Sequence, residues 1–163
     1  MFDIEFFFRT FLLSFKALPV TLKITAVAFA AGTVLGFLIA LCRIHKVKVL
    51  SQICAFFVSF IRGTPVVLQI LVVYSIIPSL LNSVFKNAGS SIDVFKINPI
   101  VYAYIVFSLN NTAILSEVFR SALLTVSKGQ FEAGITCGLT SCQTYRRIIM
   151  PQALESALPN ICN

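Results

Sequence analysis

Tryptophan is absent from this chain, histidine occurs once, and only six of its 163 residues are acidic. Charged residues make up 12% of the sequence against 58% hydrophobic. A soluble domain usually carries about 25% charged residues, so the composition excludes an ordinary water-soluble fold. No GxxxxGKS/T stretch occurs, which excludes nucleotide binding through a phosphate loop of that kind. Repeats, low-complexity tracts and a linker that would mark a second domain are missing too. The five cysteines form no CxxC, and Cys137 and Cys142 have no histidine partners nearby in sequence. Reduced thiols acting as small apolar groups therefore outweigh a metal site. His45 stands among basic residues and reads as a surface residue rather than a ligand or a catalytic base.

Long uncharged runs are what the chain does have. Ile24 to Cys42, Gly63 to Phe85 and Ile97 to Ser116 carry no charge. Each is about 19 residues or longer, enough to cross a hydrocarbon core of ~30 Å at 1.5 Å per residue. Backbone groups in lipid must be satisfied within the segment, so these runs are expected to be helices. The fold class is all-α, a polytopic membrane protein.

The start, MFDIEFFFRTFLLSFKALP, is not a cleavable signal peptide. Acids stand at Asp3 and Glu5, and Arg9 and Lys16 interrupt the apolar run. Residues 1–18 suit a short interfacial helix, which Pro19 is expected to separate from a first span over 20–42. Lys23 sits where a long side chain can snorkel, and the GxxxG from Gly32 to Gly36 reads as ordinary helix packing. The net charge of +7 is not gathered into a patch for nucleic acid. Arg43, Lys46 and Lys48 follow the first span, and Lys128, Arg146 and Arg147 lie further on. The loop from Asn82 to Asn98 has only Lys86 and Lys96, partly offset by Asp93. The basic loops are expected in the cytoplasm, with the N-terminus and the 82–98 loop outside.

Between Val49 and Phe85 the only charge before the end is Arg62. A continuous helix there would reach ~55 Å, far too long for one crossing. An interfacial or oblique helix to about Phe60 is expected instead, then a bend at Arg62-Gly63-Thr64-Pro65. A span follows from Val66 to Leu81, or 63–81 with the bend included. Pro65 removes a helical donor and drives Thr64 towards an extended conformation, and Gly63 supplies freedom. The third span, about 99–123, carries Asn110, Asn111, Thr112, Ser116, Glu117 and Arg120. Polar groups at membrane depth face protein or a water-filled path. Asn110 and Asn111 fit interhelical bonding and a pathway lining equally well, whereas Glu117 and Arg120, three apart, favour a structural pair.

Residues 127–151 return to small and polar side chains. Glu132 falls in the first turn of a short helix opening at Ser127. Ala133 and Gly134 keep one patch low enough for another backbone to approach, and Phe131 and Ile135 form an apolar stripe. Gly138 is placed to end that helix in the left-handed conformation. A second helix is expected over 141–150, with Ile148 and Ile149 packing back and Arg146 and Arg147 facing anionic head groups. Pro151 is expected to close it before a further helix begins over 152–163.

The stretch EAGITCGLTSCQTYRRIIMP resembles the EAA loop of ATP-binding-cassette (ABC) importer permeases: EAA, three residues, Gly, nine residues, Ile, one residue, Leu-Pro. Glu132, Ala133, Gly138, Ile148 and Pro151 fall at matching places, with Gly134 for the second alanine and Met150 for leucine. Arg62-Gly63-Thr64-Pro65-Val-Val-Leu-Gln69-Ile resembles the RGTPLLVQL of the polar amino-acid uptake branch. The resemblance covers nearly the whole chain, from about Leu18. It implies a type I importer permease (MetI-like) fold in a bacterial cytoplasmic membrane. It also implies a second permease copy or paralogue, a substrate-binding protein outside, and an ATPase subunit that holds ATP and Mg. The helix of Glu132, Ala133, Gly134 and Gly138 would dock in that ATPase, and Gln69, Asn110 and Asn111 would approach the translocation path. No catalytic residue, no metal and no nucleic-acid partner is expected in this chain. Family members continue beyond ALPN, so a C-terminally incomplete permease is expected. A membrane anchor or regulatory fragment that binds a cytoplasmic partner is the rival reading.

Overall fold

The computed structural model describes residues 4–87 and 97–162, and its regular elements there are all helical. In chain order they are α1 (Ile4–Ile44), α2 (Lys48–Gly63), α3 (Val66–Asn87), α4 (Pro99–Thr125), α5 (Lys128–Thr136), α6 (Ser141–Thr144), a π-helical turn (Tyr145–Ile149) and α7 (Met150–Cys162). Asp3, Asp93 and Lys96, and with them the middle of the 82–98 loop, lie outside the described residues. α1, α3 and α4 are long and apolar enough to cross a membrane. They coincide with the three uncharged runs.

The break expected at Pro19 is not there: α1 runs through it as a single helix of 41 residues. Proline removes the bond to the carbonyl four residues back and costs about 3 kcal/mol in a helix interior. Leaving the helix in apolar surroundings would strand several backbone groups at several kcal/mol each. The continuous helix is the cheaper solution. At 1.5 Å per residue α1 reaches ~60 Å, twice a hydrocarbon core, so its first turns extend beyond any single crossing.

The bend between α2 and α3 follows from its chemistry. Arg62 and Gly63 form the last turn of α2, and Thr64 is extended at φ −116°, ψ 137°. The Thr64 hydroxyl donates to the carbonyls of Phe60 at 3.0 Å and Ile61 at 3.3 Å, taking up acceptors that the helix end would otherwise leave open. Pro65 then precedes the first residue of α3. At the start of α4 the Asn98 side chain accepts from the Ile100 amide at 3.0 Å, with Pro99 at the first helical position.

The chain divides into two compact units, Met1–Ala30 with Val66–Ser108, and Ala31–Pro65 with Leu109–Asn163. In the first, Tyr74 of α3 and Tyr102 of α4 meet edge to face at 6.1 Å. The rings of Phe7, Phe11 and Phe15 follow one another along one side of α1, at 6.2 and 4.9 Å. Most of the apolar side chains of α3 are exposed, among them Val67, Leu71 and Val84, as lipid-facing residues are.

In the second unit, the two glycines of the GxxxG let α1 lie directly on α4. A Cβ at Gly32 would stand 2.7 Å from Asn111 Cβ, and one at Gly36 would stand 3.0 Å from the Ser116 nitrogen and 3.1 Å from the Thr112 oxygen. Around this contact Ala40 packs with Leu115 and Phe119, and Val58 and Ile61 of α2 pack with Ala113. Ala153 and Ala157 of α7 pack against Ala122. The three apolar clusters all involve α4.

Thr64→Val should destabilise the protein by about 1 kcal/mol, because the carbonyls at the end of α2 lose their donor. Thr64→Ser should keep most of that stability, and thermal unfolding of the detergent-solubilised protein distinguishes the two.

Candidate functional site

Two groups of residues stand out in the second unit, a charged cluster and the segment after α4. The cluster is centred on Glu117. Its Oε2 accepts from Arg120 Nε at 3.1 Å, the pair expected from the i, i+3 spacing. Its Oε1 is paired with Arg43 Nη1 of α1, a partner 74 residues away that no local spacing in the sequence indicates. One carboxylate thus serves two guanidiniums. The side chains of Arg43 and Glu117 are only 16% and 21% exposed. Arg62 and Gly63 of the RGTP stretch line, with Ser59, Arg43 and Glu117, a cavity of about 380 Å³. The motif at the bend and the half-buried ion cluster therefore share one polar space.

The segment after α4 opens at Ser127 as expected, but Glu132 is the fifth residue of α5 and lies in its second turn, not in the first as expected. Ser127 precedes α5 with extended backbone, and Gln130 N–H donates to its carbonyl at 3.1 Å. Glu132 and Ala133 are exposed on α5. Gly134 is buried, and its open side is filled from within the chain. A Cβ there would lie 2.5 Å from Thr144 Cγ2, 2.8 Å from Thr144 Oγ1 and 3.2 Å from Ile148 Cδ1. The low patch foreseen for an approaching backbone is thus occupied, at Gly134, by Thr144 of this chain. Phe131 contributes to the same packing through the Tyr145 ring at 5.5 Å, whereas Ile135 is 41% exposed.

Gly138 adopts φ +82°, the left-handed conformation that glycine takes without strain. The Leu139 amide donates to the Gly134 carbonyl at 3.1 Å and the Gly138 amide to Ile135 at 2.9 Å, the paired bonds of a Schellman ending. Two residues later the chain re-enters a helix through a capping box. The Gln143 amide donates to Thr140 Oγ1 at 3.3 Å, and the Thr140 amide donates to Gln143 Oε1 at 2.9 Å. The T-x-x-Q spacing of that box is visible in the sequence, yet sequence reasoning passed over it.

Pro151 does not close the second helix as expected. The chain stays helical from Ser141 to Cys162, and five residues before the proline widen into a π turn. There the Met150 amide reaches back to the Tyr145 carbonyl, and the Gln152 side chain donates to Ile148 at 3.1 Å. A wider turn gives room for a ring that would collide with the preceding carbonyl in a regular α-helix. Ile149 is buried and Arg146 and Arg147 are exposed, as expected. A cavity of about 300 Å³ lies under α5, walled by Leu41 and Ile44 of α1, Leu123 of α4, and Phe131, Glu132 and Tyr145.

The candidate path residues fall in different units. Gln69 lies on α3 in the first, and Asn110 and Asn111 lie on α4 in the second. The base of Asn111 is seated against Gly32.

Residues 32–163 match the family described as the binding-protein-dependent transport system inner membrane component. The chain belongs to that family. It is 38% identical over 146 residues to the L-cystine transport system permease protein TcyL of Bacillus subtilis (strain 168), covering 90% of this chain and 59% of that protein. It is 35% identical over 144 residues to the putative glutamine transport system permease protein GlnP of Rickettsia prowazekii (strain Madrid E), covering 88% and 61%. This member of the family thus spans about 60% of the length of those relatives. A crystal structure of an amino acid ABC transporter with histidines superimposes with a TM-score of 0.73 at 26% identity, over 98% of this chain and 68% of that one.

Glu117→Gln should destabilise the second unit by about 2 kcal/mol, since two guanidiniums lose their common counter-charge. Arg120→Ala should cost less, because Arg120 is 35% exposed and pairs of that kind contribute about 1 kcal/mol or less. Melting temperatures of the two variants in detergent give the order.

Proposed function

We propose that this chain is a membrane-spanning permease subunit of an ATP-driven importer for a polar amino acid, and that residues 127–151 couple it to an ATPase. The observation that carries the reading is the construction of the segment after α4. Glu132 and Ala133 are exposed on a helix of nine residues. That helix is tied at one end to a helix long and apolar enough to cross a membrane. At the other it is tied through a four-residue turn to α6, the π turn and α7. A short rigid element fixed at both ends can pass a partner's displacement to the helices that hold it, provided the partner binds the two end states with different affinity.

ATP hydrolysis then belongs to the partner, which holds ATP and Mg. A substrate-binding protein delivers the amino acid from outside, and a second permease copy or paralogue completes the pathway. The chain sits in the bacterial cytoplasmic membrane with its N-terminus outside and α5 in the cytoplasm, as the basic residues after α1 and α4 favour. Gln69, Asn110 and Asn111 approach the path. The polar cavity beside Arg62 and Glu117 supports a role for the RGTP bend in the same movement. Amino-acid transport is the theme of the relatives' names, two of which are cystine and glutamine systems.

Co-purification tests this reading. Glu132→Lys should weaken capture of the ATPase subunit at least tenfold, about 1.4 kcal/mol, while expression and melting temperature stay near those of the unaltered protein. A complex that survives this change would overturn the docking role of α5.

A further inference from the structure

We propose that Gly134 and Thr144 form the contact that sets the pitch of α5 against the helix after it, and that this contact positions Glu132 and Ala133 for their partner. The inference rests on the coupling role of α5 given above and adds the residues that hold the lever at its working angle.

The geometry allows little slack. Thr144 is fully buried, and its Cγ2 and Oγ1 occupy the space where a side chain on Gly134 would begin, 2.5 and 2.8 Å from an added Cβ. Carbon atoms in contact settle at about 3.5–4 Å. A single methyl on residue 134 would therefore push the two helices apart by about 1 Å, or force Thr144 out of its rotamer. The second escape is closed, since a β-branched side chain in a helix has few χ1 choices and Thr144 is itself fully buried. On the far side of the turn the Schellman ending and the capping box of Thr140 and Gln143 fix the chain. Relief of the clash must come from tilting α5, which carries Glu132 and Ala133 two and one residues before Gly134.

Thr144 Oγ1 has no hydrogen-bond partner. A buried hydroxyl left unpaired is unfavourable, so the threonine is not there for a bond. Its contribution is shape: it fills the notch that the missing Cβ leaves. Positions 134 and 144 are then one steric unit, in which a methyl can stand on one side or the other but not on both.

The test is a double-mutant cycle in the assembled transporter, with the ATPase subunit in saturating excess and ATP hydrolysis per complex compared with that of the free ATPase. Gly134→Ala should lower the permease-dependent hydrolysis at least fivefold. Adding Thr144→Ala, which removes both opposing atoms, should bring it back to within twofold. A purely structural contact would change only the melting temperature and leave hydrolysis per complex unaltered. Hydrolysis within twofold of the unaltered protein for Gly134→Ala, or no recovery in the double variant, would overturn the proposal while leaving the coupling role intact. An unaltered complex in which the permease neither binds nor affects the ATPase would overturn that role as well.

Discussion

The arrangement of the second unit depends on the close seating of α1 on α4. Two glycines four residues apart bring one backbone within ordinary contact of the other, and the apolar clusters around Ala40 and around Ala113 lie beside that seam. Between helices surrounded by lipid, apolar burial gives no net drive to associate, so dispersion at short range and polar pairing must hold them. The seam supplies the first, and Glu117, holding Arg43 of one helix and Arg120 of its own, supplies the second. Charge of this kind is expensive at membrane depth unless fully matched. Placing it at the ends of the helices, beside a polar cavity, lowers that cost.

From this base the chain continues into the segment after α4. α4 ends, α5 follows after two residues, and a four-residue turn reverses the chain into the helix that returns to α4 through Ala153 and Ala157. A segment with both of its roots in the same packed unit moves as that unit moves.

Much of this was legible in the residues. The uncharged runs gave the three long helices because lipid leaves the backbone no alternative, and Arg62 to Pro65 gave the bend because glycine and proline act locally. Gly138 was read correctly for the same reason: a left-handed helix ending is a property of one residue and its neighbours. Other features escaped, the capping box of Thr140 and Gln143 among them. The partnership of Arg43 with Glu117 joins residues distant in sequence, and a single sequence holds no record of it. Thr144 over Gly134 depends on the angle between two helices, which only packing decides. Pro19 and Pro151 were read as breaks, because their local cost is plain and the cost of the alternative is not.

The π turn before Pro151 has a bearing on everything that follows it. It accommodates one residue more than a regular turn would, and successive residues of an α-helix are rotated by about 100°. Without that extra residue α7 would be turned by about the same angle, and Leu154 and Leu158, now 47% and 56% exposed, would swing towards Ala122 in place of Ala153 and Ala157. Two leucines do not fit where three alanines meet. The widened turn thus acts as a phase adjuster, which rephases the helical face after the proline so that its smooth side returns to the protein and its bulky side is left for lipid or a neighbouring subunit.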